Sequence, residues 1–240
     1  MIVVKNLRKA FGPVRAVSDV SFTAPDGIIT GVLGENGAGK TTTLALVCGL
    51  LRPDGGTIEV GAGECTPIER RRRVGALLDH KGLYERLTAR ENIAYFGRLH
   101  GVPAGALPSR VQQVLDRLGL ERIADRRTGG FSQGERMKVA LGRAIVHAPA
   151  HLLLDEPTNG LDIPSVQSLR EVLRHVRDRG ACIVFSSHVL DDIRALCDRV
   201  VIVSHGRVAA SGNAAEICRQ TGCRTMEEAF LKLTSSCEAA

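Results

Sequence analysis

The stretch Gly34-Glu35-Asn36-Gly37-Ala38-Gly39-Lys40-Thr41 constrains this chain more than any other part of it. It has the form G-x-x-x-x-G-K-[ST], follows the apolar run Ile28 to Leu33, and leads into an apolar segment, Thr41 to Leu50, read as a helix. A strand, a glycine-rich loop and a helix in that order make a phosphate-binding unit. The glycines let successive backbone N–H groups curl around a phosphate, and the start of the helix adds the positive end of its dipole. Lys40 would bridge the β- and γ-phosphates of a nucleotide, with Thr42 beside it in the same turn. Thr41 would offer its hydroxyl to Mg²⁺.

Further β-branched runs at Thr57 to Val60, Ala181 to Phe185 and Val200 to Val203 alternate with helical signals, which indicates an α/β core over about 1–87 and 149–212. Between about 88 and 148 the pattern turns helical, with Gly101-Val102-Pro103-Ala104-Gly105 as a break between two segments. In Arg136 to His147, Met137, Ala140, Leu141, Ala144 and Ile145 recur at helical spacing. We therefore read one domain over 1–240 in which a helical lobe is inserted into the α/β core. The tail over 213–240 carries Met226, Ala229, Phe230 and Leu233 on one helical face, suited to packing on the core or on a partner.

The 240 residues are 44% hydrophobic, enough for a sizeable core. No apolar stretch approaches the roughly 20 residues needed to span a bilayer. Met1-Ile2-Val3-Val4-Lys5-Asn6 starts like a strand and lacks the features of a signal peptide, so a cytosolic location is expected. Seven cysteines without C-x-x-C pairs argue for buried, reduced thiols; the spacing of Cys218, Cys223 and His205 is poor for a metal. The formal charge of +6 peaks at Glu69-Arg70-Arg71-Arg72-Arg73, read as a solvated helix end. With two Tyr, six Phe and no Trp there is little for base stacking, and no direct nucleic-acid partner is expected.

A second chemical signal lies at His151-Leu152-Leu153-Leu154-Asp155-Glu156, an apolar strand ending in two carboxylates. Neighbouring side chains at a strand end point in opposite directions, so the two acids can take different jobs. Asp155 would hold Mg²⁺ and Glu156 would act on the water that attacks the γ-phosphate. Without the upstream phosphate loop, a helix cap or solvated turn would be the better reading.

The segment Leu152 to Asp162, LLLDEPTNGLD, resembles the Walker B strand and D-loop of the ATP-binding cassette (ABC) ATPases, and the resemblance covers nearly the whole chain. It implies a P-loop NTPase (RecA-like) core with an antiparallel β edge and an inserted helical subdomain. Phe11 resembles the aromatic that stacks on adenine, Ser132 and Gly134 the signature loop, and Ser186-Ser187-His188 the segment carrying the switch histidine. By that resemblance two subunits, identical or paralogous, pair head to tail around two ATP molecules. Each phosphate loop (Gly34, Glu35, Asn36, Gly37, Ala38, Gly39, Lys40, Thr41, Thr42) then faces the partner's signature loop. His188 would sense the γ-phosphate, Asp162 would link the two sites, and a separate integral membrane permease would bind near Asp79 to Glu91. The motor would sit on the inner face of the membrane.

Two departures stand out. The signature reads Phe131-Ser132-Gln133-Gly134-Glu135 where Leu-Ser-Gly-Gly-Gln is the commonest form, and Asp79 replaces the glutamine usual ahead of Gly82-Leu83-Tyr84. Asp79 can still offer oxygen to Mg²⁺. The Phe-Ser-Gln-Gly signature, Gly82 to Thr88 and the Leu231 to Thr234 tail resemble a bacterial exporter branch with sodium- and multidrug-export members. A soluble ABC ATPase working on ribosomes or nucleic acid, and a regulatory nucleotide switch, are the rival readings.

Overall fold

The computed structural model describes residues 1–61, 63, 65–78 and 82–235. Among the described residues nine strands form one sheet: β1 (Ile2–Phe11), β2 (Val14–Ala24), β3 (Ile29–Leu33), β4 (Gly55–Val60), β5 (Val74–Leu77), β6 (His151–Asp155), β7 (Cys182–Ser187), β8 (Arg199–Ser204) and β9 (Arg207–Gly212). Their order is β4-β1-β2-β9-β8-β3-β7-β6-β5. β3 pairs in parallel with β7 on one side and β8 on the other, β7 with β6, and β6 with β5. At the other edge β4, β1 and β2 pair antiparallel.

The central strands read as unbroken apolar runs because both faces of the sheet are buried. Ile29, Leu33, Leu152, Leu154, Ile183, Phe185, Val200 and Ile202 point into one core. Val32, Leu153, Val184, Val201 and Val203 point into the other. The second core is roofed by α1 (Lys40–Val47) and by the antiparallel strands. The helix begins one residue earlier than its apolar pattern and closes short of Leu50, since the Cys48 amide bonds Leu44 O and the chain turns at Gly49.

Between β5 and β6 lie α3 (Ala89–Leu99), α4 (Leu107–Leu118) and α5 (Gln133–Ile145), which pack on one another through Ile93, Val111, Leu115, Leu118, Met137 and Leu141. Thr88 and Ser132 start α3 and α5 with capping boxes, each closed by a glutamate three residues on. α6 (Ile163–Asp178) and α7 (Leu190–Leu196) back the parallel strands, and α8 (Ala214–Thr221) and α9 (Met226–Ser235) bury Ile217, Met226 and Ala229 in the first core. Among the described residues no helix is long and apolar enough to cross a membrane, and no cluster of three or more His, Cys, Asp or Glu is arranged to hold a metal ion.

The basic run is the exposed end of a short helix, as its composition suggests, with one buried arginine in it. It forms α2 (Pro67–Arg73), in which Arg70 is 5% exposed, Arg71 donates to Gly49 O and Arg73 to Val60 O. Long aliphatic stems let these arginines cover the sheet edge while their heads bond backbone carbonyls. The described cysteines are all free thiols. Burial raises the Cys182 thiol to about 12, which keeps it protonated and unreactive.

Candidate active site

The site lies at the C-terminal ends of β3, β6 and β7, where a parallel sheet leaves its loops. Residues Gly34 to Gly39 leave β3 and close onto the N-terminus of α1. Two contacts hold this loop. The Gly34 amide donates to Ser187 O at 3.4 Å, and the Gly206 amide of the β8–β9 turn donates to Ala38 O at 3.0 Å. Backbone presses so closely that a Cβ on Gly34 would sit 2.4 Å from Val203 O, and one on Gly39 2.3 Å from Ala16 O. Gly37 and Gly39, with φ of 86° and 99°, supply the left-handed turns that aim the amides inward. Ala16 lies on β2, two residues beyond Val14, the β2 partner of Phe11, which is 47% exposed.

Lys40 is 5% exposed, and its ammonium donates to Gly34 O at 2.8 Å and Glu35 O at 3.1 Å. It also lies 3.2 Å from Glu156 Oε1. A buried ammonium held by two loop carbonyls and a carboxylate is a cation poised over an anion cradle, and phosphate oxygens are the ligands it matches.

Asp155 and Glu156 diverge at the end of β6. Asp155 accepts from Thr41 Oγ1 at 2.6 Å and from Ser186 Oγ at 2.5 Å. Glu156 instead turns toward His188, whose Nδ1 shares a hydrogen bond with Oε2 at 2.8 Å. A carboxylate accepts, so Nδ1 carries the proton there and Nε2 is the ring's remaining polar atom. Glu156 has φ of 45°, a left-handed conformation that ordinary side chains rarely adopt. Its amide donates to Ser186 O at 3.2 Å and Ser186 Oγ at 3.1 Å, which holds the turn in place. The oxygens of Thr41 and Asp155, adjacent at the mouth of the phosphate loop, fit a hard divalent cation bound beside a triphosphate. Asp79 lies outside the described residues.

Ser132 and Gly134 sit at the head of α5 on the helical lobe. Ser132 Oγ caps the Glu135 amide at 3.2 Å. Among the described residues no hydrogen bond or ion pair joins Ser132 or Gly134 to the phosphate loop of their own chain. Asp162, further along, caps α6 through the Ser165 amide at 3.0 Å, and the Ser165 hydroxyl, with that amide second, holds its carboxyl below the usual range. Sequence reasoning passed over three groups that shape the site. Ser186 holds the Asp155 carboxylate and the Glu156 backbone amide; the β6–β7 register sets it opposite Asp155. Asp192 accepts from Thr158 Oγ1 at 2.7 Å and pairs with Arg170 at 2.8 Å, anchoring the loop after Glu156. No local motif marks Asp192 or Arg170, since the link joins three separate elements.

The family model described as ABC transporter matches residues 17–159, more than half of the chain. The chain belongs to the ABC transporter ATP-binding family. This ABC ATPase is 44% identical over 202 residues to the ABC transporter ATP-binding protein NatA of Bacillus subtilis (strain 168), covering 83% of this chain and 82% of that one. It is 39% identical over 227 residues to the Nod factor export ATP-binding protein I of Burkholderia lata, 93% and 74% of the two chains. A solved ATP-binding subunit of an ABC transporter superposes with a TM-score of 0.89 at 30% identity, covering 97% of this chain and 99% of that one. The ABC ATPase therefore binds and hydrolyses ATP as the energy-converting subunit of a transporter.

Proposed function

We propose that this subunit drives export, working as a head-to-tail pair of cassettes on the inner face of the membrane against a separate permease. The observation that carries the pairing is the division of the site. Glu156, Lys40 and His188 meet at the phosphate loop, while the capped N-terminus of α5 stands on the other lobe, with no hydrogen bond or ion pair to that loop among the described residues. A helix N-terminus with a serine hydroxyl is an anion site, and a second subunit would bring one. Two copies related by a two-fold axis satisfy both halves at once.

In the closed pair the β- and γ-phosphates would lie in the amide cradle of Gly34 to Gly39, and the Lys40 ammonium would exchange its carbonyl partners for phosphate oxygens. Phe11 would cover the adenine. Mg²⁺, when bound, neutralises charge on the transferred phosphoryl group, and Thr41 and Asp155, with Asp79 from outside the described residues, would hold it. Glu156 takes the proton of the attacking water as its oxygen bonds to the γ-phosphorus, and the bond to the bridging oxygen of ADP breaks. His188 orients Glu156 through the 2.8 Å bond and, as an imidazolium with a proton on both nitrogens, would donate from Nε2 to the γ-phosphate.

The surface for the permease would be the helical lobe near Asp79 to Glu91, of which 79–81 lie outside the described residues, together with the cleft of about 430 Å³ lined by Leu50, Leu78, Phe96, His100 and Arg143. Leu50 and Leu99 beside it are more than 60% exposed, and an apolar rim of this kind suits a short helix of a partner. Export direction is supported by the name of the Nod factor relative and by the signature and tail segments. Glu156→Gln keeps the hydrogen bond to His188 within reach but removes the base. It should lower turnover by more than about a hundredfold and trap an ATP-bound dimer visible by light scattering. Normal turnover in that variant removes Glu156 from the chemistry. ATP-dependent movement of cargo out of inside-out vesicles, instead of into them, reverses the direction.

A further inference from the structure

Gln133 occupies the signature position where glycine is usual, and its side chain is not idle. Its Nε2 donates to Asn159 O at 3.1 Å, crossing from the helical lobe to the loop that follows Glu156. The two surfaces are shaped for each other: a Cβ on Gly160 would lie 2.4 Å from Nε2 and 3.0 Å from both Cδ and Oε1. The amide therefore lies flat against the bare Cα of Gly160. One residue along, a Cβ on Gly134 would meet Ser165 Oγ at 2.5 Å, so the whole head of α5 rests on the loop and on the start of α6.

We propose that Gln133 is a positioning residue that couples the two ATP sites of the dimer. The inference rests on the paired-cassette reading above. In such a pair Glu156 acts on the ATP of its own phosphate loop, while Ser132 and the first turn of α5 face the ATP of the partner. The structure joins these two ends within one chain by a short, stiff path. The Asn159 amide donates to Glu156 O at 3.1 Å and the Leu161 amide to Thr158 O at 3.1 Å, so residues 156–161 form interlocked turns. Thr158 is fixed to Asp192, and Asp192 to Arg170. A displacement of Glu156 at one site thus moves Asn159 O, and Gln133 transmits it to the residue next to the Ser132 cap. Glycine at 133 has no side chain to make this connection, and glutamate of the same size has no N–H to donate.

The test is steady-state ATPase against ATP concentration for the full chain in its native complex with its membrane subunits. Wild type should show a Hill coefficient near its ceiling of about 2 for two coupled sites. Gln133→Glu and Gln133→Gly should both bring it to about 1 while KM changes less than about threefold. Gly160→Ala, which pushes the amide away, should lower the coefficient as well, and adding Gln133→Gly to it should lower it no further. A coefficient of 1 in wild type, or one unchanged in both Gln133 variants, overturns the coupling; so does a loss of kcat or melting temperature at unchanged coefficient, which a merely structural contact would give. If Glu156→Gln forms no ATP-bound dimer, the paired-cassette reading falls and the coupling with it. A dimer with an unchanged coefficient overturns the coupling alone.

Discussion

The phosphate loop holds a paired experiment in Gly37 and Gly39. Both have positive φ, but a Cβ on Gly37 meets nothing within 4 Å, whereas one on Gly39 would lie 2.3 Å from Ala16 O. Alanine at either position takes the left-handed penalty of about 1–2 kcal/mol. At Gly39 the added carbon also meets fixed backbone that no rotamer change relieves. The loop must withdraw by about 1 Å, at an overpacking cost of roughly 1–3 kcal/mol more. At about 2–4 °C per kcal/mol for a chain of this size, the melting temperature falls by about 4–20 °C for Gly39→Ala and about 2–8 °C for Gly37→Ala. A misplacement of about 1 Å in a positioning loop should reduce kcat/KM for ATP about a hundredfold in Gly39→Ala. Calorimetry and steady-state ATPase with both variants measure the difference. Equal melting temperatures and equal kcat/KM would falsify the claim that β2 fixes the loop through this contact.

Two further predictions follow from buried charge. Asp192→Ala leaves the Arg170 guanidinium and the Thr158 hydroxyl without their carboxylate; since Arg170 keeps some exposure, unfolding in urea should show a loss of about 2 kcal/mol. Turnover should fall in the same variant through the loosened loop after Glu156, while the affinity for ATP stays within about threefold. His147 is pushed down to about 4 by burial and by the His100 ring stacked on it at 3.8 Å, so the folded state binds its proton more weakly than the unfolded chain. Stability from this group is complete above about pH 6.5 and is lost as pH falls toward 4, with about 2 kcal/mol gone at pH 5. Urea midpoints of wild type and His147→Phe, compared between pH 7 and pH 5, should show a smaller decline in the variant.

Much of this arrangement was legible in the chain because its signals are local. A glycine-rich loop between an apolar strand and a helix can be read from consecutive residues, as can the Leu152 to Glu156 strand end. The alternation that sends Leu152 and Leu154 to one core and Leu153 to the other is invisible in an unbroken apolar run, since both faces are buried. Arg71 to Arg73 are exposed as their charge suggests, but the burial of Arg70 beside them left no signal, since composition records all four heads alike. β1, β2 and β9 left weaker signals because each mixes exposed and buried residues and contains shifts in register. The link from Thr158 through Asp192 to Arg170 joins residues 34 and 22 apart in sequence, and only the folded chain brings them together.

The divergence of Asp155 and Glu156 shows where the physical reason differs from the simple one. Strand alternation alone would aim the two carboxylates at opposite faces of the sheet, one of them into an apolar core. The structure instead ends β6 at Asp155 and swings Glu156 into a left-handed turn, so both acids stay at the nucleotide edge while facing different partners. That turn is unfavourable for a residue with a Cβ, and it persists because Ser186 holds the Glu156 amide with its carbonyl and its hydroxyl. The same hydroxyl donates to Asp155, so one buried serine sets the spacing between the group that would hold a cation and the group that would take a proton. A fold that separates those two tasks by one residue needs a strained backbone at that residue, and a neighbouring strand in register to hold it.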